Sequence, residues 1–194
     1  MNILLIDTVG RPNLVALGDT EKRVTEDRSW TADGDEAERT LPAVREIKGQ
    51  DRKVDAIVCV NGPGRFTSTR IGVAVANALS MAWEIPVIGL DRISFVRSLM
   101  PEYDPQALAV PSEREGGYYF TPTRLDPAIR FAEDSEALPD GCEIVDQARF
   151  AKAWSEQKNA FFSSIAQQAA SASMDVPLAP LYVRPPNITA MKRL

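Results

Sequence analysis

Histidine does not occur anywhere in the 194 residues, and its absence removes several chemistries at once. No Ser-His-Asp or Cys-His nucleophile can be assembled, and no zinc-protease helix carrying two histidines. A hydrolase GxSxG read from Gly64 fails as well, because Phe66 stands where the serine belongs and Ser68 where the glycine belongs. Cysteine is scarce: Cys59 and Cys142 lie far apart and in no CxxC pattern, which fits a reducing compartment, and Cys59 inside an apolar run reads as a small buried hydrophobe. No apolar run reaches the roughly 20 residues that a membrane helix needs, and no charged start leads into a secretory core, so a cytoplasmic protein is expected. Carboxylates are scattered, or bunched in stretches such as Asp33–Glu38 that read as a solvated face, so no metal and no cofactor are expected. Positive charge is short too. The chain carries 22 Lys and Arg against 27 Asp and Glu, a net charge of −5, which argues against gripping nucleic acid unaided.

What is present is the composition of a folded α/β protein, with 44% hydrophobic and 25% charged residues. The most informative stretch is Asn61–Gly72, NGPGRFTSTRIG. It follows the apolar strand predicted at Asp55–Val60, and Gly62, Pro63 and Gly64 make a tight turn into a helix that Thr67 or Ser68 can cap. That helix is predicted over Ser68 to Trp83. Ile71, Ala74, Val75, Ala78, Leu79 and Ala82 form the expected core stripe. The opposite face, Gly72, Val73, Ala76, Asn77, Ser80 and Met81, carries no charge either, so the helix is expected to be buried on both sides, with the second side against another protein.

Upstream, Asn2–Asp7 and Leu14–Leu17 read as strands around the turn Val9–Asn13, with a third, edge strand within Lys22–Trp30. Asp7 and Thr8 end the first strand. They are candidate nucleotide-binding residues, but Pro12 in the following turn offers no N–H and Val9 resists positive φ, so turn formation competes with that role. Ala37, Leu41, Val44 and Ile47 are spaced for one helical stripe, which Pro42 either begins or kinks. Further on, Asp91 caps a helix to Met100 with Ile93, Val96 and Leu99 inward. Ala107–Val110 pairs with Gly117–Arg124, where Tyr118 and Tyr119 read as core rather than as a ligand platform. Ala148–Trp154 and Phe161–Met174 are two predicted helices, followed by an extended tail over Pro177–Pro186 with Tyr182 and Arg184.

GPGRFTSTRIG, the opening NILLIDT with its hairpin into LVALGD, the strand IPVIGL and the terminal PLYVRPP resemble the TsaB (YeaZ) family, the non-catalytic partner in bacterial threonylcarbamoyladenosine synthesis on tRNA. The resemblance is strongest over Met1–Leu90 and returns at Tyr182–Arg184. The family's usual loop is GPGSFTGLRIG, so Arg65, Ser68 and Thr69 depart from it, and Glu36 and Ala37 stand where a His-Ser pair is usual. The segment after Pro42 is also short for the family, which implies a smaller interface.

The resemblance implies an actin-like (ASKHA, ribonuclease H-like) α/β fold in two lobes, about 1–100 and 101–194, the second one reduced. It also implies a scaffold without catalytic residues, binding a TsaD-like catalytic paralogue through Arg65, Phe66, Thr69, Arg70, Gly72, Val73, Ala76, Asn77 and Ser80. A TsaE-like ATPase is a further implied partner, with a homodimer when alone and tRNA reached only through the complex. The catalytic relatives bind metal through paired histidines, which this chain lacks. Two alternatives remain open: a small kinase of the same fold, and a glycoprotease-type peptidase, for which neither histidine nor a nucleophile is available.

Overall fold

The computed structural model describes residues 1–21, 24–31, 34–103, 106–112, 116–174 and 176–183. Its frame is a five-stranded sheet of β1 (Asn2–Asp7), β2 (Asn13–Asp19), β3 (Val24–Trp30), β4 (Ala56–Val60) and β5 (Val87–Leu90), in the order β3-β2-β1-β4-β5. The hairpins β1–β2 and β2–β3 are antiparallel, with Asp7 opposite Leu14 and Asn13 opposite Trp30. β1, β4 and β5 run parallel, and their crossovers are the helices α1 (Glu36–Lys48) and α2 (Phe66–Trp83). This is the strand order of the actin-like fold.

Both faces of the sheet are covered, as parallel strands without polar alternation require. Leu4, Ile6, Val15, Leu17, Ile57 and Cys59 meet Ala43, Val44 and Ile47 of α1 and Val73 and Ala76 of α2. On the other side, Ile3, Leu5, Leu14, Ala16 and Val58 meet α3 (Arg92–Ser98) and α4 (Gln147–Ala170). Burial pushes the Cys59 thiol up, helped by the charge of Asp7, so it acts as the small hydrophobe expected. Asp91 caps α3 by accepting from the N–H groups of Ile93 and Ser94, as expected.

A second sheet, ordered β8-β7-β6-β9, contains β6 (Leu108–Pro111), β7 (Tyr118–Thr121), β8 (Arg130–Ala132) and β9 (Glu143–Ile144). Tyr119 is buried against Phe131, with ring centroids 5.3 Å apart. β8 and β9 are too short to leave a periodic signal in the sequence.

The two helices expected at Ala148–Trp154 and Phe161–Met174 are one, α4, capped by Asp146 on the N–H of Arg149. The polar stretch Ser155–Asn159 that suggested a break is where α4 passes the edge strand. There Lys158 pairs with Asp27, and Thr25 Oγ1 donates to Asn159 Oδ1 at 2.7 Å. On either side, Phe150, Trp154, Phe161 and Phe162 surround Phe95 or one another edge-to-face. α4 thus carries residues of the second half back onto the first sheet, and the two halves share one core.

Candidate partner-binding site

The site is assembled where β4 ends. Gly62 has φ +125°, and a Cβ there would lie 2.2 Å from the carbonyl oxygen of Leu181, so the turn requires glycine both for its backbone and for the chain lying on it. That chain is the extended segment 176–183. The Leu181 N–H donates to the Asn61 carbonyl at 2.7 Å, and Asn61 Nδ2 donates to the Ala179 carbonyl at 3.0 Å. About three turns into α2, Asn77 takes both bonds of a backbone amide pair, donating to Leu178 O and accepting from Leu178 N, each at 2.9 Å. Arg184, expected in this tail, lies outside the described residues.

Neither Thr67 nor Ser68 caps α2. The N-cap position is Arg65, which makes no side-chain capping bond. The helix starts earlier than its sequence suggested, at Phe66, so both hydroxyls fall inside the first turn. Ser68 Oγ instead donates to Glu36 Oε1 at 2.7 Å, and Arg65 Nη1 meets the same oxygen at 3.3 Å. Thr8 Oγ1 donates to the Ser68 carbonyl at 2.7 Å, and Gly72 gives Thr8 room, since a Cβ there would fall 2.3 Å from that hydroxyl. Glu36, read within a solvated run, is therefore buried at the junction of two helices.

The larger correction concerns which side of α2 faces the core. Ser68, Thr69, Gly72, Val73, Ala76 and Ser80 are buried within the chain, Ala76 at 0% exposure. Thr69, Gly72, Val73, Ala76 and Ser80 were expected to meet a partner, and they pack on the chain's own sheet and α1 instead. Both sides of the helix are apolar, so periodicity alone gave the stripe without its direction. Small residues won the inward place because α2 packs closely across Thr8 and the sheet. Asn77 is half-buried beneath the tail.

Of the residues expected at the interface, Arg65, Phe66 and Arg70 remain accessible. The Arg70 guanidinium lies 5.1 Å from the Phe66 ring centroid, and Phe66 stacks on Tyr182 at 4.9 Å. The rest of the outward side is the stripe predicted as core, with Ala74, Ala78 and Ala82 exposed and Ile71, Val75 and Leu79 half-buried, together with Met81 of the opposite predicted face, which is 78% exposed. In α1, Val44 and Ile47 point inward as expected, while Ala37 and Leu41 point out and Pro42 sits inside the helix. Leu41 joins Leu79 and Trp83 in a groove between the two helices. The tail's contribution, through Tyr182, was invisible to local pattern because it depends on a contact more than a hundred positions away in sequence.

Asp7 is sealed at the end of β1. Its Oδ1 accepts from the N–H groups of Val9 and Gly10, each at 2.8 Å. Burial pushes its carboxyl up, against the opposing pull of the Gly10 bond, the Arg92 guanidinium and the Val9 bond. The turn's N–H groups, which a phosphate would need, are spent on Asp7. Thr8 is likewise occupied by Ser68. Among the described residues, no group of three or more Cys, Asp or Glu is placed to hold a metal ion, and no helix is long and apolar enough to cross a membrane.

Comparison with known proteins adds two findings. Residues 37–110, from α1 through β6, match the family model of TsaD, tRNA N6-adenosine threonylcarbamoyltransferase. A tRNA N6-adenosine threonylcarbamoyltransferase of Burkholderia cenocepacia is 33% identical over 66 residues, 32% of this chain, and the chain covers only 19% of that relative's length. Among solved structures, YeaZ from Pseudomonas aeruginosa superimposes with a TM-score of 0.64 at 16% identity, over 94% of this chain and 99% of that one. A second structure, of a protein described as similar to peptidase YeaZ from Pseudomonas aeruginosa, gives 0.66 with the same coverage and identity. The resemblance carried by GPGRFTSTRIG is therefore borne out over nearly the whole backbone, and the chain has the actin-like fold of the YeaZ proteins.

Proposed function

We propose that this chain is a non-catalytic, TsaB-type subunit that docks a catalytic paralogue of the threonylcarbamoyltransferase kind and supports threonylcarbamoyladenosine modification of tRNA in the cytoplasm. The observation that carries this reading is the outward side of α2, where three alanines, three half-buried aliphatics and Met81 form a stripe with no charge between Arg70 and Glu84. Small side chains let another helix approach closely, and the Phe66, Arg70 and Tyr182 stack at its end has the composition of an interface anchor. The segment similar to the transferase family spans both α1 and α2. A paralogue can therefore present the corresponding helices, and two like surfaces meet about a pseudo-twofold axis, with a second copy of this chain taking its place when the paralogue is absent.

Further features agree. The chain has no histidine for the metal-binding helix of the catalytic relatives, and its negative charge leaves tRNA to the complex. A TsaE-like ATPase belongs to the same proposed assembly. The kinase reading loses support because the β1 turn spends its N–H groups on Asp7.

The test is to purify the chain with a TsaD-type transferase and assay modified tRNA. Modification is expected only in the mixture. A mixture as inactive as its components would reject the proposal.

A further inference from the structure

The outward side of α2 is bounded by two charges that its own chain leaves unpaired. Arg70 and Glu84 are both exposed, and among the described residues neither forms an ion pair. The Arg70 guanidinium is held over the Phe66 ring, 5.1 Å from its centroid. Glu84 sits at the C-terminal end of the helix, where a negative charge opposes the helix dipole, so its own helix gains nothing from it.

The residues between them follow a seam pattern. Ile71, Ala74, Ala78 and Met81, alternately three and four positions apart, take the central places of a helix–helix contact. Val75 and Leu79, one turn apart, lie on the flank toward α1, where Leu79 meets Leu41. Arg70, Asn77 and Glu84 share the other flank, the one that carries the tail through Asn77.

Symmetry selects a direction. When two copies of a helix meet antiparallel about a twofold axis, like flanks face each other and positions are mirrored about the helix centre. Mirroring about the middle of the stripe sets Ile71 level with Met81 of a second copy, Ala74 with Ala78, and Arg70 with Glu84. The charge pair then forms twice, at places about 21 Å apart along the axis. A parallel pair instead sets each charged flank against the Val75 and Leu79 flank of the other copy, leaving both charges beside apolar side chains.

We infer that a second copy of this chain docks antiparallel on α2, with two Arg70–Glu84 ion pairs setting the orientation and register of the contact. This pairing rests on the proposed reading of the outward side of α2 as a contact surface, and adds to it the direction of the second helix and the residues that decide it.

The experiment uses the isolated chain. A contact of one helix per copy is small, so sedimentation should show a reversible dimer with a Kd of about 10 µM. Arg70→Glu and Glu84→Arg are changes at exposed positions that keep the fold. Each brings like charges together at both ends and should raise the Kd at least about tenfold. The double variant restores the pair in the reversed sense and should return to within about threefold of the parent. Oxidative cross-linking reads the orientation separately. A disulfide needs Cα atoms within about 7 Å, so Ile71→Cys mixed with Met81→Cys should cross-link. Neither variant should do so alone, because its own copies lie about 15 Å apart along the axis; the parent, with its native Cys59 and Cys142, is the control. A chain that stays monomeric at about 100 µM, a double variant as weak as the single ones, or faster cross-linking of either cysteine variant alone than of the mixture would each overturn the pairing. These readouts do not involve the transferase. A monomeric chain that still supports tRNA modification in the mixture rejects the pairing and keeps the proposed function, and a dimer that passes every test without modification in the mixture does the reverse.

Discussion

The carboxylate of Glu36, whose side chain is 3% exposed at the start of α1, receives the Arg65 guanidinium at 3.3 Å from the start of α2. Glu36 suits its own helix, since an acid stabilises the positive N-terminal end, whereas Arg65 opposes the dipole of α2. The ion pair resolves that conflict, and Ser68 adds a hydrogen bond to the same oxygen. All three residues are departures from the family pattern, and they meet at one junction where Glu36 and Ser68 are buried and Arg65 is part-exposed, so they form a coupled unit. Arg65→Ala leaves the buried carboxylate short of a partner, at a cost of about 1–3 kcal/mol, or a melting decrease of about 5 °C for a chain this long. A thermal double-mutant cycle with Glu36→Gln should give a coupling of about 1 kcal/mol; additive losses would show that the pair is incidental.

The reversed orientation of α2 changes which substitution tests the interface. Ala76 is fully buried, so Ala76→Glu puts an unpaired charge into the core and should unfold the chain or cost more than about 3 kcal/mol. Ala78 is exposed. Ala78→Glu should melt within about 2 °C of the parent, as surface changes usually do, yet fail to co-purify with the transferase paralogue. Size-exclusion chromatography of the mixture reads the second effect, and an intact complex would remove α2 from the interface.

Much of the frame was legible in the sequence, because β1, β2, β4 and the Asp91 cap depend on local pattern. Ile3 and Leu5 alternate with Leu4 and Ile6 between the two buried faces of the sheet. What stayed hidden depends on distant contacts. The side of α2 that turns inward is decided by Thr8, the sheet and α1, while the burial of Glu36 is decided by Arg65 and Ser68. Neither can be read from a window of neighbouring residues. The continuity of α4 was missed for the same reason, since Lys158 looks like a loop residue until Asp27 stands opposite it.

Segment 176–183 is held on the glycine turn largely through amide groups, and Asn77 supplies two of those bonds. Asn77→Ala removes both without touching the inward side of α2. The expected result is faster amide hydrogen exchange at Leu178 and Leu181, with a local loss of about 1–2 kcal/mol and little change in global melting. Since Tyr182 stacks on Phe66 at the edge of the proposed interface, affinity for the paralogue should fall with it. Unchanged exchange at Leu178 would mean that the tail is held by its apolar contacts instead.

Asp7 gives a pH signature whose sign follows from its burial. The folded state raises its pKa above the ordinary 3.8, so between those two values the native chain holds a proton that the unfolded chain has released. Stability contributed by this group therefore falls as pH rises from the ordinary value through the folded one, and stays at the lower level above it. Asp7→Asn keeps an oxygen to accept from Val9 and Gly10 but cannot ionise. Urea unfolding of both proteins across the acidic to neutral range isolates the contribution, because the other carboxylates are common to the two. The difference in stability, variant minus parent, should rise with pH through that window and then level off. A difference that is flat, or that falls with pH, would show that Arg92 and the two N–H bonds outweigh burial and that Asp7 is a fully charged group in the folded chain.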